Sequence, residues 1–389
     1  MGLLIYKIAP IKKKRYVFTS FNGHYSDNTK YISIKLHETL PDAEIIWLVL
    51  PEYAKNVPDY AKAVDINSLK SYWYRGTATA QIDNVYGFRA NFKMTEGTDR
   101  KLKFMAFLQN KKKQPVIATM HGTPIKKLGR DQNGNTVFGM ICPNTSMIVG
   151  DKLSAEVFRR ITFETMPVDV IGWPRNDVLF AEDNGIREEL GLPVDKKILL
   201  FAPTFRNDGK DTEGKNVHRS GLNQLAEMDF DKLFGAMSAK FGGEWVMVCR
   251  FHYHVANMVD WNDLESRYPG KFINGNRDDD MANYLRCADV LLSDSSSCLC
   301  DFSLTNKPCF VYFPDYDNYK NKERGFYIDM ESSPYPLAVD FDTLVENIDK
   351  YDEGEYVKKL NGFLDEIGAP RDAKASERAV DYILKKCKK

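Results

Sequence analysis

Short apolar runs alternate with helical patterns along the first half of the chain. The runs Arg15–Ser20, Glu44–Leu50 and Pro115–Met120 have the length and apolar content of buried strands. Further strands are predicted at Ala61–Val64, Gln81–Tyr86, Thr145–Gly150 and Asp169–Ile171, and helices at Thr29–Leu40, Ser68–Arg75 and Asp151–Arg160. Because strands that alternate with helices form parallel sheets with helices on their faces, this half predicts a doubly wound α/β layer.

The same alternation starts again after Lys196. Strands are predicted at Lys197–Phe201, Glu244–Arg250, Phe272–Asn274, Asp289–Leu292 and Cys309–Phe313, and helices at Asp229–Phe241, Asp280–Cys287, Phe341–Lys350, Glu355–Ile367 and Ala373–Lys388. A chain of 389 residues is long enough to bury two cores. We therefore predict a first domain over 1–175, a second over 176–372, and a terminal helix over 373–389 that crosses back to the first domain.

The charge balance argues against one class of partner. Lysine and arginine together number 54, as do aspartate and glutamate, so the formal net charge is zero. Binding to nucleic acid relies on a cationic surface, so a nucleic-acid partner is not expected. The basic clusters Lys12–Arg15 and Lys111–Lys113 leave two interpretations open, a solvated charge run or a surface for anionic lipid.

Two further classes are excluded by what the sequence lacks. No stretch approaches the ~20 apolar residues of a membrane span, and Met1–Pro10 is too short for a signal-peptide core, so we expect a soluble, cytoplasmic protein. The seven cysteines have no metal-ligand pairing and resemble reduced core residues. The acidic run Asp278–Asp280 is typical of a loop or a helix start rather than of a spaced ligand set. We expect neither a metal nor a cofactor.

The stretch Val290–Phe302 is typical of a strand, a turn and a helix. Its apolar run breaks into Ser293–Ser297 and then resumes with helical spacing. Hydroxyls and free N–H groups at a helix start, with the partial positive charge of that end, are suited to a phosphate. Helix capping alone would explain the same serines, so both interpretations stay open at this point.

Two histidines follow predicted strands. His121 comes directly after Pro115–Met120, and His252 comes shortly after Glu244–Arg250. Because ligands in open α/β sheets bind at the carboxyl ends of the strands, both histidines are candidate site residues. The cleft between the two predicted domains is the expected site. The alternative for His121 is a turn histidine packed under Pro124.

Six motifs together resemble one known family. They are His121–Gly129, Pro174–Asp177, Ala202–Arg206, Arg250–His252, the stretch from Asp294 to Pro308, and Arg324–Tyr327. In this order they closely resemble the CDP-glycerol glycerophosphotransferases of teichoic-acid synthesis, from about Phe21 to about Leu337. The resemblance implies a GT-B-like α/β fold, with two Rossmann-type domains facing each other across a cleft. It also implies transfer of an alditol phosphate to a hydroxyl, with release of CMP.

The resemblance further implies roles for single residues. His121 is the implied catalytic base for the acceptor, and His252 is the implied catalytic contact to the donor pyrophosphate. The implied contacts to the donor phosphates are Ser296, Ser297, Arg206, Arg250 and Arg324, and the other cleft candidates are Gly122, Thr123, Lys126, Asp294 and Asp301. Simpler explanations stay open for three of these residues: a strand-end ion pair for Arg250, a surface pair with Glu323 for Arg324, and the helix dipole for Asp301.

The implied substrates are CDP-glycerol or CDP-ribitol and a polyprenyl-linked saccharide or polymer, in teichoic-acid or capsule synthesis. Such an acceptor implies peripheral contact with the inner face of the cell membrane. Ser295 departs from the family pattern, which usually has tyrosine there, and the chain is shorter than the long polymerases, which favours single additions. The alternatives are a GT-B glycosyltransferase that uses a sugar nucleotide and, ranked last because both histidines are present, a noncatalytic binding protein.

Overall fold

The computed structural model describes residues 2–84, 114–131, 145–161, 166–181, 185–204, 220–251, 255, 257–276, 280–323 and 325–388. Two compact units make up the chain. The first comprises Met1–Pro124, Leu128–Phe180 and Ile367–Lys389, and the second comprises Ile125–Lys127 and Ala181–Glu366. The predicted boundary between 175 and 176 falls inside a 3-10 helix, Pro174–Phe180, with which the first unit's central segment ends.

The first unit contains a parallel sheet in which the strands run in the order β3-β2-β1-β4-β5-β6-β7. The strands are β1 (Arg15–Thr19), β2 (Glu44–Val49), β3 (Ala61–Asp65), β4 (Ala80–Asp83), β5 (Val116–Ala118), β6 (Thr145–Val149) and β7 (Val168–Val170). The strand order reverses between β1 and β4, which is the switch point where doubly wound sheets bind their ligands.

Helices of the first unit flank this sheet. They are α1 (Gly2–Ile8), α2 (Asp27–Thr39), α3 (Leu69–Thr77), α4 (Lys152–Ile161) and, from the end of the chain, α13 (Ala375–Cys387), with 3-10 helices at Phe21–Gly23, Pro51–Asn56, Gly129–Asp131 and Pro174–Phe180. Phe18 and Trp47 from the sheet stack with ring centroids 5.6 Å apart. Val380 and Ile383 of α13 pack into the same core, so the terminal helix belongs to the first unit.

The second unit repeats the arrangement with the order β10-β9-β8-β11-β12-β13. Its parallel strands are β8 (Lys197–Ala202), β9 (Trp245–Cys249), β10 (Phe272–Asn274), β11 (Val290–Ser293), β12 (Cys309–Tyr312) and β13 (Leu337–Ala338). Its α-helices include α5 (Ile186–Glu189), α6 (Ser220–Ala226), α7 (Phe230–Phe241), α8 (Trp261–Arg267), α9 (Met281–Cys287), α10 (Cys298–Ser303), α11 (Phe341–Asp349) and α12 (Glu353–Ile367). Here the switch point lies between β8 and β11.

The predicted strands and most predicted helices agree with the structure to within a few residues. The basic cluster Lys12–Arg15 differs from both of its interpretations, because one of its members is buried. Arg15 is buried, because β1 pairs Arg15 with Glu44 of β2 and its guanidinium donates to both Glu44 carboxylate oxygens at 2.9 and 3.0 Å. Lys12 pairs with Glu44 and Lys14 with Asp42. The cluster is therefore not a uniform cationic surface, and Lys111–Lys113 lie outside the described residues.

Two features, a membrane-spanning helix and a metal-binding cluster, are absent from the residues that the structure describes. Within them, no helix has both the length and the apolar character needed to cross a bilayer. In the same ranges, no group of three or more His, Cys, Asp or Glu side chains is arranged to hold a metal ion. Asp280, from the acidic run Asp278–Asp280, caps α9 by accepting a hydrogen bond from the Ala282 backbone N–H at 3.2 Å, as a residue at a helix start does.

Candidate functional site

His121 lies in a tight turn that follows β5. The preceding residue, Met120, has a φ of +52°, a left-handed conformation that costs energy for a residue with a side chain. Gly122 has a φ of +129°, which glycine adopts readily and other residues do not. The His121 side chain is exposed at the carboxyl edge of the first sheet.

Two residues from other elements, Asn28 and Arg175, hold this turn by its carbonyl groups. The Asn28 amide Nδ2 donates to the Met120 carbonyl at 2.9 Å, and Arg175 Nη1 donates to the His121 carbonyl at 2.9 Å. The same Nη1 pairs with Asp27 Oδ1 at 3.1 Å, and the Arg175 backbone N–H donates to Asn28 Oδ1 at 3.1 Å. The place of His121 is thus fixed by the start of α2 and by the segment after β7.

Thr123 holds the other side of the turn. Its hydroxyl donates to Asp151 Oδ2 at 2.6 Å and accepts from Trp173 Nε1 at 3.1 Å. Burial raises the pKa of the Asp151 carboxyl, while hydrogen bonds from Thr123 and from the Ser154 N–H oppose that shift. The Thr123 side chain is buried and its hydroxyl is already engaged, and its contact with a ligand stays a prediction.

An aromatic ring lies beside the His121 imidazole. The ring of Phe21 has its centroid 5.7 Å from that of His121, at an angle of 54°, and Phe21 is 39% exposed. The 3-10 helix that carries Phe21 is anchored by Gly23, whose carbonyl accepts from the Leu50 N–H at 3.0 Å. The first unit therefore presents an imidazole next to a fixed apolar face.

The serine turn of the second unit lies at that unit's switch point. Asp294 follows β11 and is fully buried. Its Oδ1 accepts from the Thr204 N–H at 2.9 Å, from the Thr204 hydroxyl at 2.5 Å and from the Ser295 N–H at 2.6 Å. Asp294 therefore ties the end of β8 to the end of β11 and organises the turn, and its contact with a ligand stays a prediction.

The two serines predicted to hold phosphate are half-buried. Ser296 Oγ accepts weakly from the Cys298 N–H at 3.4 Å, and Ser297 precedes α10 without capping it through its side chain. Capping by Ser297 therefore does not explain this serine run. Asp301 is buried in the first turn of α10, and its place in the cleft stays a prediction.

Cysteine chemistry is disfavoured at the serine turn. The Cys298 side chain is buried, and burial raises the pKa of its thiol to about 11. A thiol with so high a pKa stays protonated at neutral pH and is a poor nucleophile. The other described cysteines are also free, and Cys249, Cys287, Cys300 and Cys309 are buried as predicted.

Arg250 and Lys126 both make contacts inside the second unit. Arg250 Nη1 donates to the Gly275 carbonyl at 2.7 Å, and its guanidinium lies 4.9 Å from the centre of the Tyr284 ring. Lys126 forms an antiparallel bridge with Phe326. Two backbone hydrogen bonds flank the bridge: the Lys127 N–H donates to the Gly325 carbonyl, and the Tyr327 N–H donates to the Ile125 carbonyl. Arg206, His252 and Arg324 lie outside the described residues, and their roles stay predictions.

Sequence reasoning missed the residues that hold His121 in place. Asp27 and Asn28 lie in none of the predicted elements or motifs, and Arg175 was included only in the motif Pro174–Asp177. Their signal in the sequence is weak: an Asp-Asn pair at a helix start beyond the first strand. The two partners of Asn28, Met120 and Arg175, lie 92 and 147 positions further along the chain, so the sequence pattern alone does not connect them.

Comparison with known proteins gives a consistent result. The sequence model of the family described as CDP-glycerol:poly(glycerophosphate) glycerophosphotransferase matches residues 3–385. A teichoic acid poly(glycerol phosphate) polymerase of Staphylococcus epidermidis is 29% identical over 97% of this chain, and the match covers 51% of that protein. The chain thus spans about half the length of that relative. A teichoic acid glycerol-phosphate transferase of Staphylococcus aureus is 27% identical, with 95% and 92% of the two chains covered.

A solved structure matches over the whole chain. The wall teichoic acid polymerase TagF, in a variant soaked with CDPG, has a TM-score of 0.77 and 27% identity, covering 100% of this chain and 93% of that one. The predicted GT-B-like α/β class is confirmed by this match and by the two Rossmann-type sheets. The resemblance inferred from the six motifs is confirmed by the family match.

Proposed function

Because the chain belongs to the CDP-glycerol:poly(glycerophosphate) glycerophosphotransferase family, we propose that it transfers glycerol phosphate or ribitol phosphate from a CDP-activated donor to a hydroxyl of a lipid-linked acceptor. CMP is the second product. One observation carries the proposal: the family match extends over residues 3–385 and so includes both units. Teichoic-acid or capsular polymer synthesis is the process that such a transfer serves.

The proposed reaction is a displacement at the β-phosphorus of the donor. The acceptor hydroxyl oxygen forms a new bond to that phosphorus, the bond to the bridging oxygen breaks, and CMP leaves with the electron pair. His121 takes the hydroxyl proton. Its exposed imidazole on a fixed turn supports this role, and the apolar face of Phe21 suits the carbon skeleton of an acceptor sugar or alditol.

The donor is assigned to the second unit. Its serine turn lies where the strand order reverses, at the carboxyl edge, which is where such sheets bind phosphates. Ser296, Ser297 and the N–H groups that follow them are the proposed contacts to the phosphate oxygens. His252, Arg206 and Arg324 are proposed to add further donors, by their place in the family's motifs. Arg250 donates to the Gly275 carbonyl. Its proposed contribution to donor binding is therefore indirect: it holds its own loop in place.

A metal ion is not part of the proposal. The proposed charge stabilisation comes from N–H groups, hydroxyls and guanidinium groups, which bind phosphate without a cation. We expect transfer to continue when EDTA is present.

The direct test is CMP release from CDP-glycerol and from CDP-ribitol, each with and without a soluble analogue of a lipid-linked saccharide. Acceptor-dependent CMP from one donor supports the proposal and identifies the alditol, and the length of the products separates single addition from polymerisation. Absence of CMP from both donors with folded protein would overturn it, and turnover of a sugar nucleotide instead would favour the glycosyltransferase alternative.

A lipid-linked acceptor also implies contact with a membrane surface, and exposed apolar side chains on α1 and α3 support this. Leu4 and Ile8 on α1 are 63% and 71% exposed, and Leu69 and Trp73 on α3 are 53% and 45% exposed. Each pair is spaced by four residues and so shares one helix face. The two helices pack closely, since a side-chain carbon added at Gly2 would lie 2.6 Å from the Tyr72 ring.

We predict that the double change Ile8→Glu and Trp73→Glu reduces binding to vesicles that contain anionic lipid by about tenfold. The reason is that two large apolar side chains are removed and two negative charges are added near Lys7, which is half-buried, and Lys70, which is exposed. Sedimentation with vesicles measures the effect. Val194→Glu is the control, because Val194 is also exposed, at 62%, but lies in the second unit. Equal binding by all three proteins would show that the α1–α3 surface does not contact lipid.

A further inference from the structure

The turn that carries His121 is held against an unfavourable backbone conformation. Met120 is left-handed at a φ of +52°, and Asp27, at the start of α2, is left-handed at a φ of +62°. Neither residue is glycine, so each costs of order 1–3 kcal/mol unless its surroundings enforce it. Such outliers persist where the structure around them requires a particular geometry. Here they lie on two segments that Asn28 joins directly.

Asn28 is the first of the enforcing residues. It is fully buried, and both ends of its amide are engaged: Nδ2 donates to the Met120 carbonyl at 2.9 Å, and Oδ1 accepts from the Arg175 N–H at 3.1 Å. A carboxylate or an apolar side chain at this position cannot make both bonds. The amide therefore selects the left-handed backbone that points the next residue, His121, to the surface.

Arg175 is the second. One guanidinium nitrogen, Nη1, donates both to the His121 carbonyl and to Asp27 Oδ1. Asp27 in turn accepts from the Asn84 amide at 3.2 Å through its other carboxylate oxygen. The Asp27 and Arg175 side chains are only 15% and 11% exposed, so this ion pair is shielded from solvent and keeps its orientation.

We propose that Asp27, Asn28 and Arg175 are positioning residues for the reaction, which orient His121 through its backbone without touching a substrate. The inference rests on the proposed function of His121 as the acceptor's base. Positioning matters because a displacement of about 1 Å at a reacting group can cost of order 100-fold in rate. The donor is proposed to bind the second unit and all members of the network lie in the first, so we expect donor binding to be unaffected.

The test compares Arg175→Lys with Asp177→Asn. Lysine keeps the charge, but its side chain is shorter and its ammonium has no fixed plane, so it does not hold both acceptors in the same geometry. Asp177 lies in the same 3-10 helix, but its carboxylate caps α13 by accepting from the Ala375 and Ser376 N–H groups at 2.9 and 2.8 Å. We expect Arg175→Lys to lower kcat by about 10- to 100-fold, with the KM and Kd for CDP-glycerol changed less than twofold. Asp177→Asn should lower the melting temperature at least as much and leave kcat within about threefold of wild type.

A second readout does not depend on activity. The chain has six histidines, so the imidazole resonances of isotope-labelled protein can be assigned by single changes, with His121→Ala identifying the signal of interest. That signal should shift in Arg175→Lys and in Asn28→Asp and stay in place in Asp177→Asn. An unmoved His121 signal, or a kcat loss that simply follows the melting temperature in all variants, would overturn the proposal. If wild-type protein releases no CMP, the proposed function fails, while the resonances still decide whether the network positions His121.

Discussion

Replacing His121 with alanine should reduce acceptor-dependent CMP release by about 1,000-fold, within the range that loss of a general base produces. His121 is exposed, so the change removes little packing and should leave the fold intact. Binding of CDP-glycerol should be unchanged, because the donor is assigned to the second unit.

The matched control is His37→Ala. His37 lies near the end of α2 and stacks on Tyr60 with ring centroids 4.1 Å apart, far along the helix from the start that holds the His121 turn. Its loss should leave the rate within about threefold of wild type. A His121→Ala rate within tenfold of wild type, with donor binding intact, would show that another group accepts the proton.

Replacing Asp294 with alanine should destabilise the second unit by about 3–5 kcal/mol. One buried carboxylate oxygen accepts three hydrogen bonds, and bonds to charged groups contribute about 1.5–3 kcal/mol each when a single partner is lost. The loss should also weaken donor binding, because the serine turn is no longer tied to β8. Asp294→Asn retains a carbonyl acceptor and should cost about half as much.

Urea unfolding measures the stability, with hydrogen exchange of β8 and β11 as the local readout. Asp289→Ala is the control at the opposite end of the same two strands. Asp289 accepts from the Ile198 N–H at 2.8 Å, and its side chain is 32% exposed, so its loss should cost less and leave donor binding unchanged. Equal losses of stability and of donor binding in the two variants would contradict the special place given to Asp294.

The central strands were predictable because they are largely apolar runs that are buried on both faces. β1, β2, β8 and β11 were each placed within a residue or two from this pattern alone. The serine turn was predictable for the same reason, because it interrupts such a run. The α1 helix was missed, since seven residues carry too little helical pattern, and it forms by packing against α3.

The interactions around the candidate site were not predictable from local pattern. Whether Arg15 is buried or exposed depends on the register that places it opposite Glu44. The role of Asp294 depends on Thr204, which is 90 positions away, and the place of His121 depends on contacts to α2 and to the segment after β7. Polar residues reveal their function through tertiary partners, whereas apolar residues reveal burial by spacing alone.

The repeated strand order explains how one chain presents two kinds of site. Both sheets reverse their order at the strand that begins each unit, β1 or β8, and both place polar turns at the carboxyl edge. In the first unit the turn carries His121, the proposed base, and in the second the proposed phosphate contacts are hydroxyls and N–H groups. A phosphoryl transfer needs both kinds of group and little covalent chemistry from the protein.

The central claim is that this chain moves an alditol phosphate, and the mass of the acceptor tests it most directly. A soluble saccharide acceptor is incubated with CDP-glycerol, or with CDP-ribitol, and its intact mass is measured with wild-type protein and with His121→Ala. The account predicts a gain of one or more whole alditol phosphate units with one donor, matched mole for mole by CMP and absent with the variant. An unchanged acceptor mass with folded wild-type protein and both donors would contradict it.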